Sequence, residues 1–268
     1  MTGRVPRVRP PAVAGTFYPR GEGALREALD DAFRKARHDV HVDGSPKAVI
    51  APHAGYVYSG PIAATAYEQL APARAVIRRI VLLGPSHRVP LRGIAASSAD
   101  AFDTPLGAVP VDTARRDAVL RLPGVLVADA AHDQEHSLEV HLPFLQRVLD
   151  DFAVLPLVVG VTSPATVAAV LDAVWGGPET RIVVSSDLSH YHDHATAVRL
   201  DAATADAIVH GRLADIDDYD ACGAYPVRGL LMAAAEHGLR VETLDLRNSG
   251  DTAGPTDRVV GYGAFALT

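Results

Sequence analysis

Three apolar segments rich in β-branched residues constrain what this chain can fold into. They read VIAPHAGY (49–56), IVLLGPSH (80–87) and IVVSSDLSH (182–190). Each has the length of a buried strand before it breaks into Gly, Pro or Ser, and helical segments separate them. This pattern is typical of a parallel sheet that helices cover on both faces. We therefore predict a three-layer α/β/α fold with a central, largely parallel or mixed sheet, formed as a single domain over residues 1–268.

The apolar part of each segment leads to a histidine, namely His53, His87 and His190. In open α/β sheets, ligands bind just beyond the carboxyl ends of the strands. The three histidines are therefore predicted to converge on one metal or catalytic centre. Asp187 lies three residues before His190, and a carboxylate in that position can orient an imidazole ring and set its tautomer.

Cys222 is the only cysteine of the chain and lies just ahead of a helix that Pro226 is predicted to open. The start of a helix offers free N–H groups and a positive dipole end, which are expected to lower the pKa of a thiol. A thiolate beside imidazoles suits either metal binding or nucleophilic catalysis. The alternative is a buried, unreactive cysteine.

A fourth group of histidines lies in the segment 129–149, which is predicted to begin as a loop and continue as a helix. His136 and Glu139 are three residues apart, and His132 and His136 are four apart, so helical spacing would put each pair on one face. The HExxH zinc motif is absent. The sequence favours a polar network that supports the site loops, and it leaves open whether His136, Glu139 and His141 are structural or part of the site.

Composition excludes several classes of function. The chain has 268 residues and a formal net charge of −7, so it lacks the basic surface of a nucleic-acid-binding protein. No run approaches the roughly 20 apolar residues of a membrane span, and no secretory signal is visible. With one cysteine and no intrachain disulfide, a cytoplasmic location is expected. The Walker, GxGxxG and GxSxG motifs are also missing.

Several ordered motifs resemble those of the Memo family, whose bacterial and archaeal members are named AmmeMemoRadiSam system protein B. The matching segments are RPPAVAGTFYP (9–19), APHAGYVYSG, LLGPSH, HSLEVHLPFLQ, SSDLSHY, ACG and NSGDTAGPTDRVVGYGAFAL. The resemblance implies a fold similar to that of class III extradiol dioxygenases and a site that holds an iron or copper ion. The residues that match the metal ligands are His53, His87 and Cys222. Asp187 and His190 match further site residues, and in the dioxygenase relatives the histidine that resembles His190 acts as acid and base.

The chain departs from the dioxygenases at Cys222, because those enzymes complete their metal site with a carboxylate. A thiolate shifts the metal preference toward softer ions such as Cu(I). Dioxygenase activity therefore does not follow from the fold. Our first hypothesis is a mononuclear metal-binding protein with redox or oxidoreductase chemistry on a substrate that the sequence does not identify.

Two other hypotheses remain open. The first is a non-enzymatic module that binds a peptide or small ligand in the same pocket, with help from the neighbourhood of Tyr56, Tyr58, Arg88 and Arg92. The second is a hydrolase with Cys222 as nucleophile, His190 as base and Asp187 as the orienting residue. The family name also implies association with radical-SAM and AMMECR-type proteins, whereas no nucleic-acid or membrane partner is expected.

Overall fold

The computed structural model describes residues 5–268. Its strands, in chain order, are β1 (Val8–Arg9), β2 (Ala48–Ala51), β3 (Arg79–Pro85), β4 (Ile94–Ala96), β5 (Ala101–Phe102), β6 (Val109–Pro110), β7 (Val125–Val127), β8 (Ala153–Val159), β9 (Thr180–Ser185), β10 (Asp187–His192), β11 (Val241–Asn248) and β12 (Val259–Leu267). Its α-helices are α1 (Glu22–Arg34), α2 (Tyr56–Glu68), α3 (Thr113–Val119), α4 (Ala130–Asp133), α5 (Leu142–Val148), α6 (Pro164–Val174), α7 (His194–Val209) and α8 (Ala224–Glu236).

Within the described residues, nine strands form one mixed sheet. Its order is β10-β12-β2-β9-β3-β8-β4-β7, and β11 pairs with β12 at the side. The central strands β2, β9, β3 and β8 are parallel, while β12 and β4 run antiparallel to their neighbours β2 and β8. The short strands β1, β5 and β6 form a separate small sheet. The carboxyl ends of the parallel strands therefore meet along one edge.

Both faces of the central sheet are buried, because successive residues of each strand enter two different hydrophobic cores. Leu82 of β3 packs in one core with α1, α2 and α5, whereas its neighbours Val81 and Leu83 pack in the other with α3, α6, α7 and α8. This alternation follows from the two-residue period of a strand. It confirms the predicted three-layer fold, with a mixed central sheet.

Helix starts agree with the sequence at two places and differ at a third. The sequence predicts Ser163 and Asp193 as helix N-caps, and their side chains do cap α6 and α7, each accepting a bond from the backbone N–H three residues on. The sequence also predicts a helix that Ser59 caps and Pro61 opens, but α2 begins at Tyr56, so Pro61 lies inside it. The backbone N–H of Tyr56 is already held by the carbonyl of Phe17, which starts the helix earlier than the proline signal suggested.

The third histidine-containing segment differs most from its prediction. The sequence predicts one strand that ends on His190. In the structure, β9 ends at Ser185, and β10 then runs antiparallel to β12. The residue two places beyond the end of β9 is thus Asp187, which corresponds to His53 beyond β2 and His87 beyond β3. His190 lies within β10, at a point where the pairing with β12 shifts register.

Candidate metal centre

Three histidines meet beyond the carboxyl edge of the sheet. His53 follows β2, His87 follows β3, and His136 lies in the loop between α4 and α5. One ligand nitrogen of each lies within 4.8 Å of those of the other two. The ring centroids are 4.6–5.4 Å apart. Three imidazole nitrogens that converge in this way form a cluster that could hold one metal ion.

A single carboxylate orients one of these rings and lies beside a second. The Oε1 atom of Glu135 lies 2.9 Å from Nδ1 of His87 and 3.3 Å from Nδ1 of His136. Its Oε2 atom accepts the backbone N–H of His87 at 2.6 Å. A carboxylate on Nδ1 fixes the tautomer of a metal-ligating histidine and leaves Nε2 for the metal. Glu135 therefore prepares His87 as an Nε2 donor, whereas Nδ1 of His136 is buried and forms no hydrogen bond within the described residues.

His53 is held in the same manner by a hydroxyl group. Its Nδ1 lies 2.6 Å from Oγ of Ser185, and that hydroxyl donates to the carbonyl of Ser137 at 2.6 Å. Because the Ser185 proton is used by Ser137, Nδ1 of His53 is the donor to Ser185 and Nε2 is the lone-pair nitrogen. With only 2% of its surface exposed, His53 forms the floor of the site.

Cys222 and Asp187 both approach Nε2 of His53, the ring nitrogen that does not contact Ser185. The Sγ atom of Cys222 is 3.4 Å from Nε2 of His53, and Oδ2 of Asp187 is 4.0 Å from the same nitrogen. The other carboxylate oxygen of Asp187 accepts the backbone N–H of His53 at 2.7 Å. Cys222 is thus adjacent to the cluster through His53, although the mutually close trio consists of histidines alone.

Two close backbone approaches bring these loops together. A Cβ atom on Gly84 would lie 2.8 Å from Oγ of Ser137, and one on Gly223 would lie 2.5 Å from the carbonyl of Ser185. Only glycine allows the segment after His136 to pack on β3, and the Cys222 loop to pack on the end of β9. Both contacts set the depth at which the ligand side chains lie.

Burial dominates the titration of the site. It lowers the pKa of His53 well below its ordinary value and that of His136 to about 4, with the charge of His87 acting in the same direction. It raises the pKa of Asp187 to about 7, although backbone bonds from His53 and Ala54 partly offset this. Both histidines are therefore neutral near pH 7, which is the form that binds metal.

The pKa of the Cys222 thiol is shifted in the direction opposite to the one predicted from the sequence. Burial raises the pKa of Cys222, and the nearby Asp187 carboxylate acts in the same direction. The free N–H groups and the dipole at the start of α8 do not offset this rise in the pKa. In the metal-free protein this cysteine is a neutral thiol rather than a reactive thiolate.

The predicted pairing of Asp187 with His190 is absent. Among the described residues, the Asp187 carboxylate binds backbone N–H groups of the His53 turn, and no hydrogen bond joins it to the His190 ring. His190 nevertheless lines the same pocket, half-buried, and burial lowers its pKa. The structure thus brings His53, His87, Asp187, His190 and Cys222 to one pocket.

The pocket has a volume of about 530 Å³ and opens to solvent. The residues that line it are His53, His87, Arg88, His136, Asp187, His190, Tyr191, His192, Asp218, Tyr219 and Cys222. Of the four residues suggested for ligand binding, Arg88 alone lines this pocket. Tyr56 is buried elsewhere, and its hydroxyl donates to the carbonyl of Val140 at 2.7 Å.

Glu139 and His141 do not belong to the pocket. Glu139 is fully buried and binds Arg9, the Tyr18 hydroxyl at 2.6 Å and the backbone N–H groups of Ala12 and Val13. His141 is buried against Tyr67, whose hydroxyl lies 2.7 Å from its Nδ1. These two are structural, which answers part of the question that the sequence left open.

Sequence reasoning did not single out Glu135 and did not assign His136. Helical spacing predicts His132 and His136 on one face, but α4 ends at Asp133 and the next turn is not helical, so the two histidines separate. His132 binds the carbonyl of Ala95 at 3.0 Å, away from the site. The adjacent pair Glu135–His136 was the available signal, since neighbouring residues in a loop can share one centre.

The sequence is similar to that of known proteins over nearly its whole length. The chain matches the family model described as Memo-like protein over residues 9–266. It is 34% identical to a MEMO1 family protein of Methanothermobacter thermautotrophicus, covering 95% of this chain and 98% of the relative. MEMO1 family proteins of Aquifex aeolicus and Ignicoccus hospitalis are 35% and 36% identical, each covering 96% of this chain and 97% of the relative.

A solved structure shares the fold. The crystal structure of an uncharacterized protein from Escherichia coli K12 aligns with a TM-score of 0.55 at 12% identity, covering 81% of this chain and 98% of the other. Among the helices of residues 5–268, none combines the length and apolarity needed to cross a bilayer. The family match extends over nearly the whole chain and includes every segment that builds the histidine pocket. The chain belongs to the family of Memo-like proteins.

Proposed function

We propose that this protein is a mononuclear metal-dependent oxidoreductase that uses iron or copper in the histidine pocket. The observation that supports this is how the three histidine rings are placed and how close their ligand nitrogens lie. Each Nδ1 has an oxygen neighbour, Ser185 for His53 and Glu135 for the other two, and a ligand nitrogen from each ring lies within 4.8 Å of the others. A donor set of imidazoles whose Nδ1 atoms have oxygen neighbours fits a divalent first-row metal.

Two donor sets share His53 and His87. One is completed by His136, the other by Cys222. Three imidazoles suit Fe(II), and replacement of one by a thiolate favours copper. A bound iron or copper ion would supply one-electron redox chemistry and Lewis acidity beside the substrate.

The remaining pocket residues would bind substrate and move protons. His190 is half-buried and lines the pocket, so its ring is available to accept a proton from a bound substrate. Asp187 holds the turn that carries His53, through the bond to its backbone N–H. We assign His190 the acid/base role and Asp187 a supporting catalytic role.

The test is anaerobic purification followed by metal analysis of the whole chain. About one equivalent of iron or copper is expected in the wild type, and His87→Ala should lose it because this ligand belongs to both donor sets. His136→Ala and Cys222→Ser then decide which set is used, since only the true third ligand should lower metal content. Failure of the wild type to bind either metal under reducing conditions would refute the proposal.

The second candidate is a non-enzymatic module that binds a small ligand or peptide. The open mouth of the pocket, with an exposed arginine and two exposed tyrosines, favours it. A His87→Ala variant that loses metal but keeps all cellular function would select this candidate over the enzyme. The hydrolase hypothesis is weaker, because burial raises the pKa of Cys222 and no hydrogen bond joins it to His190 among the described residues.

Partner and location stay predictions. Association with radical-SAM and AMMECR-type proteins rests on the family resemblance, and co-purification from a bacterial host tests it. A cytoplasmic location rests on composition and is tested by cell fractionation.

A further inference from the structure

Tyr191, which lines the histidine pocket, has an unusual backbone conformation. Among residues 5–268 it is the one non-glycine residue with a positive φ, at 64°. A left-handed conformation is unfavourable for a bulky side chain and persists where the surroundings impose it. Such strain in a residue that lines a pocket points to a ligand-binding role rather than to folding.

The strain changes which side chains face the pocket. In a regular strand, His190 and His192 would lie on one face of β10 and Tyr191 on the other. Register shifts flank His190 in its pairing with β12, and all three residues line the pocket. A bulge is the usual device for redirecting a side chain next to a site. The backbone distortion therefore adds the tyrosine ring to the pocket wall.

The ring is exposed and is held by a cation. Tyr191 has 63% of its surface exposed, and the guanidinium of Arg258 lies 4.5 Å from its ring centroid. Across the same pocket, Tyr219 is 90% exposed. Two open aromatic rings at one mouth favour a flat, aromatic ligand, because stacking adds to simple burial.

The charge of the mouth favours an anion. Arg88 lines the pocket and forms no ion pair or hydrogen bond with any residue in the described part of the chain. The nearby Asp218 instead interacts with the hydroxyl of Tyr225. A guanidinium without an acidic partner is suited to a carboxylate, which it can bind through two parallel hydrogen bonds.

We propose that Arg88, Tyr191 and Tyr219 form a binding site for a small aromatic carboxylate at the mouth of the pocket, with Tyr191 determining specificity. The inference rests on the proposed function, because it names the class of substrate that would reach the metal centre. Arg88 binds the carboxylate, and Tyr191 stacks on the ring.

Binding is measured by NMR chemical-shift titration of the whole chain with four probes. Benzoate carries both features, acetate only the charge, benzyl alcohol only the ring, and cyclohexanecarboxylate the charge with a non-planar ring. Benzoate should bind about tenfold more tightly than each of the others, since one stacking or charged contact is worth about a factor of ten. Equal affinity for benzoate and cyclohexanecarboxylate would overturn the proposal.

Variants test the two residues separately. Arg88→Gln should weaken benzoate binding about tenfold, whereas Arg121→Gln, an exposed arginine away from the pocket, should not change it. Tyr191→Phe should retain binding. Tyr191→Asn should lose about tenfold in affinity without a lower melting temperature, because asparagine tolerates positive φ. A fall in melting temperature of Tyr191→Asn, or unchanged binding in either Arg88→Gln or Tyr191→Asn, would contradict the proposal.

Metal content of each protein separates this inference from the proposed function. Protein that holds metal but does not prefer benzoate would refute the ligand site alone. Protein that prefers benzoate but holds no metal would refute the oxidoreductase, and the site would then be that of a binding module.

Discussion

Two polar clusters lie a few residues apart in the segment 135–141 and behave in opposite ways. The Glu139 cluster consists of Glu139, Arg9, Tyr18 and two backbone N–H groups, and every bond of the carboxylate goes to protein. In the histidine pocket, Glu135 instead orients His87, whose ligand nitrogen lies close to those of His53 and His136. Both carboxylates are buried, yet only one serves a site.

The difference teaches how to separate structural from functional polar groups. A buried charge must be paired and hydrogen-bonded, and the Glu139 cluster satisfies this rule completely. The pocket departs from it, since Nε2 of His87 and Nε2 of His136 form no hydrogen bond within the described residues, and Nε2 of His53 is bonded only by the Cys222 thiol at 3.4 Å. Groups that the protein orients but leaves without partners are available to a metal or substrate.

The largest expected effect comes from breaking the Glu139 cluster. Glu139→Gln would leave the Arg9 charge buried without its partner, which costs about 3–5 kcal/mol. The free energy of unfolding in urea measures this. Glu22→Gln is the control, because its exposed pair with Arg26 contributes less than about 0.5 kcal/mol. Similar losses in the two variants would show that Glu139 is not a structural centre.

Acid should destabilise the fold through buried histidines outside the pocket. Burial lowers the pKa of His132 to about 4, below the ordinary value of 6.5. The unfolded chain therefore binds the proton first, so stability is complete above pH 6.5 and falls as the pH decreases toward 4. The shift corresponds to about 3 kcal/mol.

Urea unfolding at pH 7 and pH 4 checks this, with His132→Gln as the comparison. The variant should lose about 3 kcal/mol less than the wild type between the two pH values. Identical pH dependence in both proteins would mean that folding does not shift the pKa of His132.

Glu135→Gln should weaken metal binding more than it weakens the fold. Loss of a carboxylate that orients a metal-ligating histidine typically costs 10–100-fold in affinity, or about 1–3 kcal/mol. A competition titration of cobalt(II) against a chelator measures the affinity. Glu68→Gln is a matched control, because Glu68 also pairs with a histidine, His38, but on the surface. Unchanged cobalt affinity in Glu135→Gln would remove its orienting role.

The smallest effect on stability is expected at His87. With 28% of its side chain exposed, His87→Ala should change the free energy of unfolding by only about 0.5 kcal/mol while it abolishes metal binding. His141→Ala should lose about 1–3 kcal/mol, because it leaves the buried Tyr67 hydroxyl without a partner. If His87→Ala were the less stable of the two, the contrast between pocket and structural histidines would fail.

Much of the fold could be predicted from the sequence because its signals are local. The buried strands follow from apolar runs of the right length, and Ser163 and Asp193 mark helix starts through their own capping bonds. Positions directly beyond β2 and β3 were likewise predictable, since a parallel sheet gathers its strand ends at one edge. His53 and His87 therefore belong to the part that pattern alone indicates.

Other features were decided by contacts between distant segments. The split of 182–190 into β9 and β10 depends on pairing with β12, which made Asp187 rather than His190 the strand-end residue. Cys222 reaches His53 across 169 positions of the chain, and its thiol is neutral because the fold buries it. Neither the register nor the burial is encoded in neighbouring residues.

The sequence by itself thus determined the layers of the fold, the edge where the site lies and two of its histidines. The tertiary structure decided that Glu135 orients His87 and lies beside the His136 ring, while Glu139, four residues on, is used up by Arg9 and the backbone. The physical reason is that hydrogen-bond satisfaction depends on every segment that packs around a group. A pattern lists the polar side chains, but only the folded chain determines which of them remain free to bind.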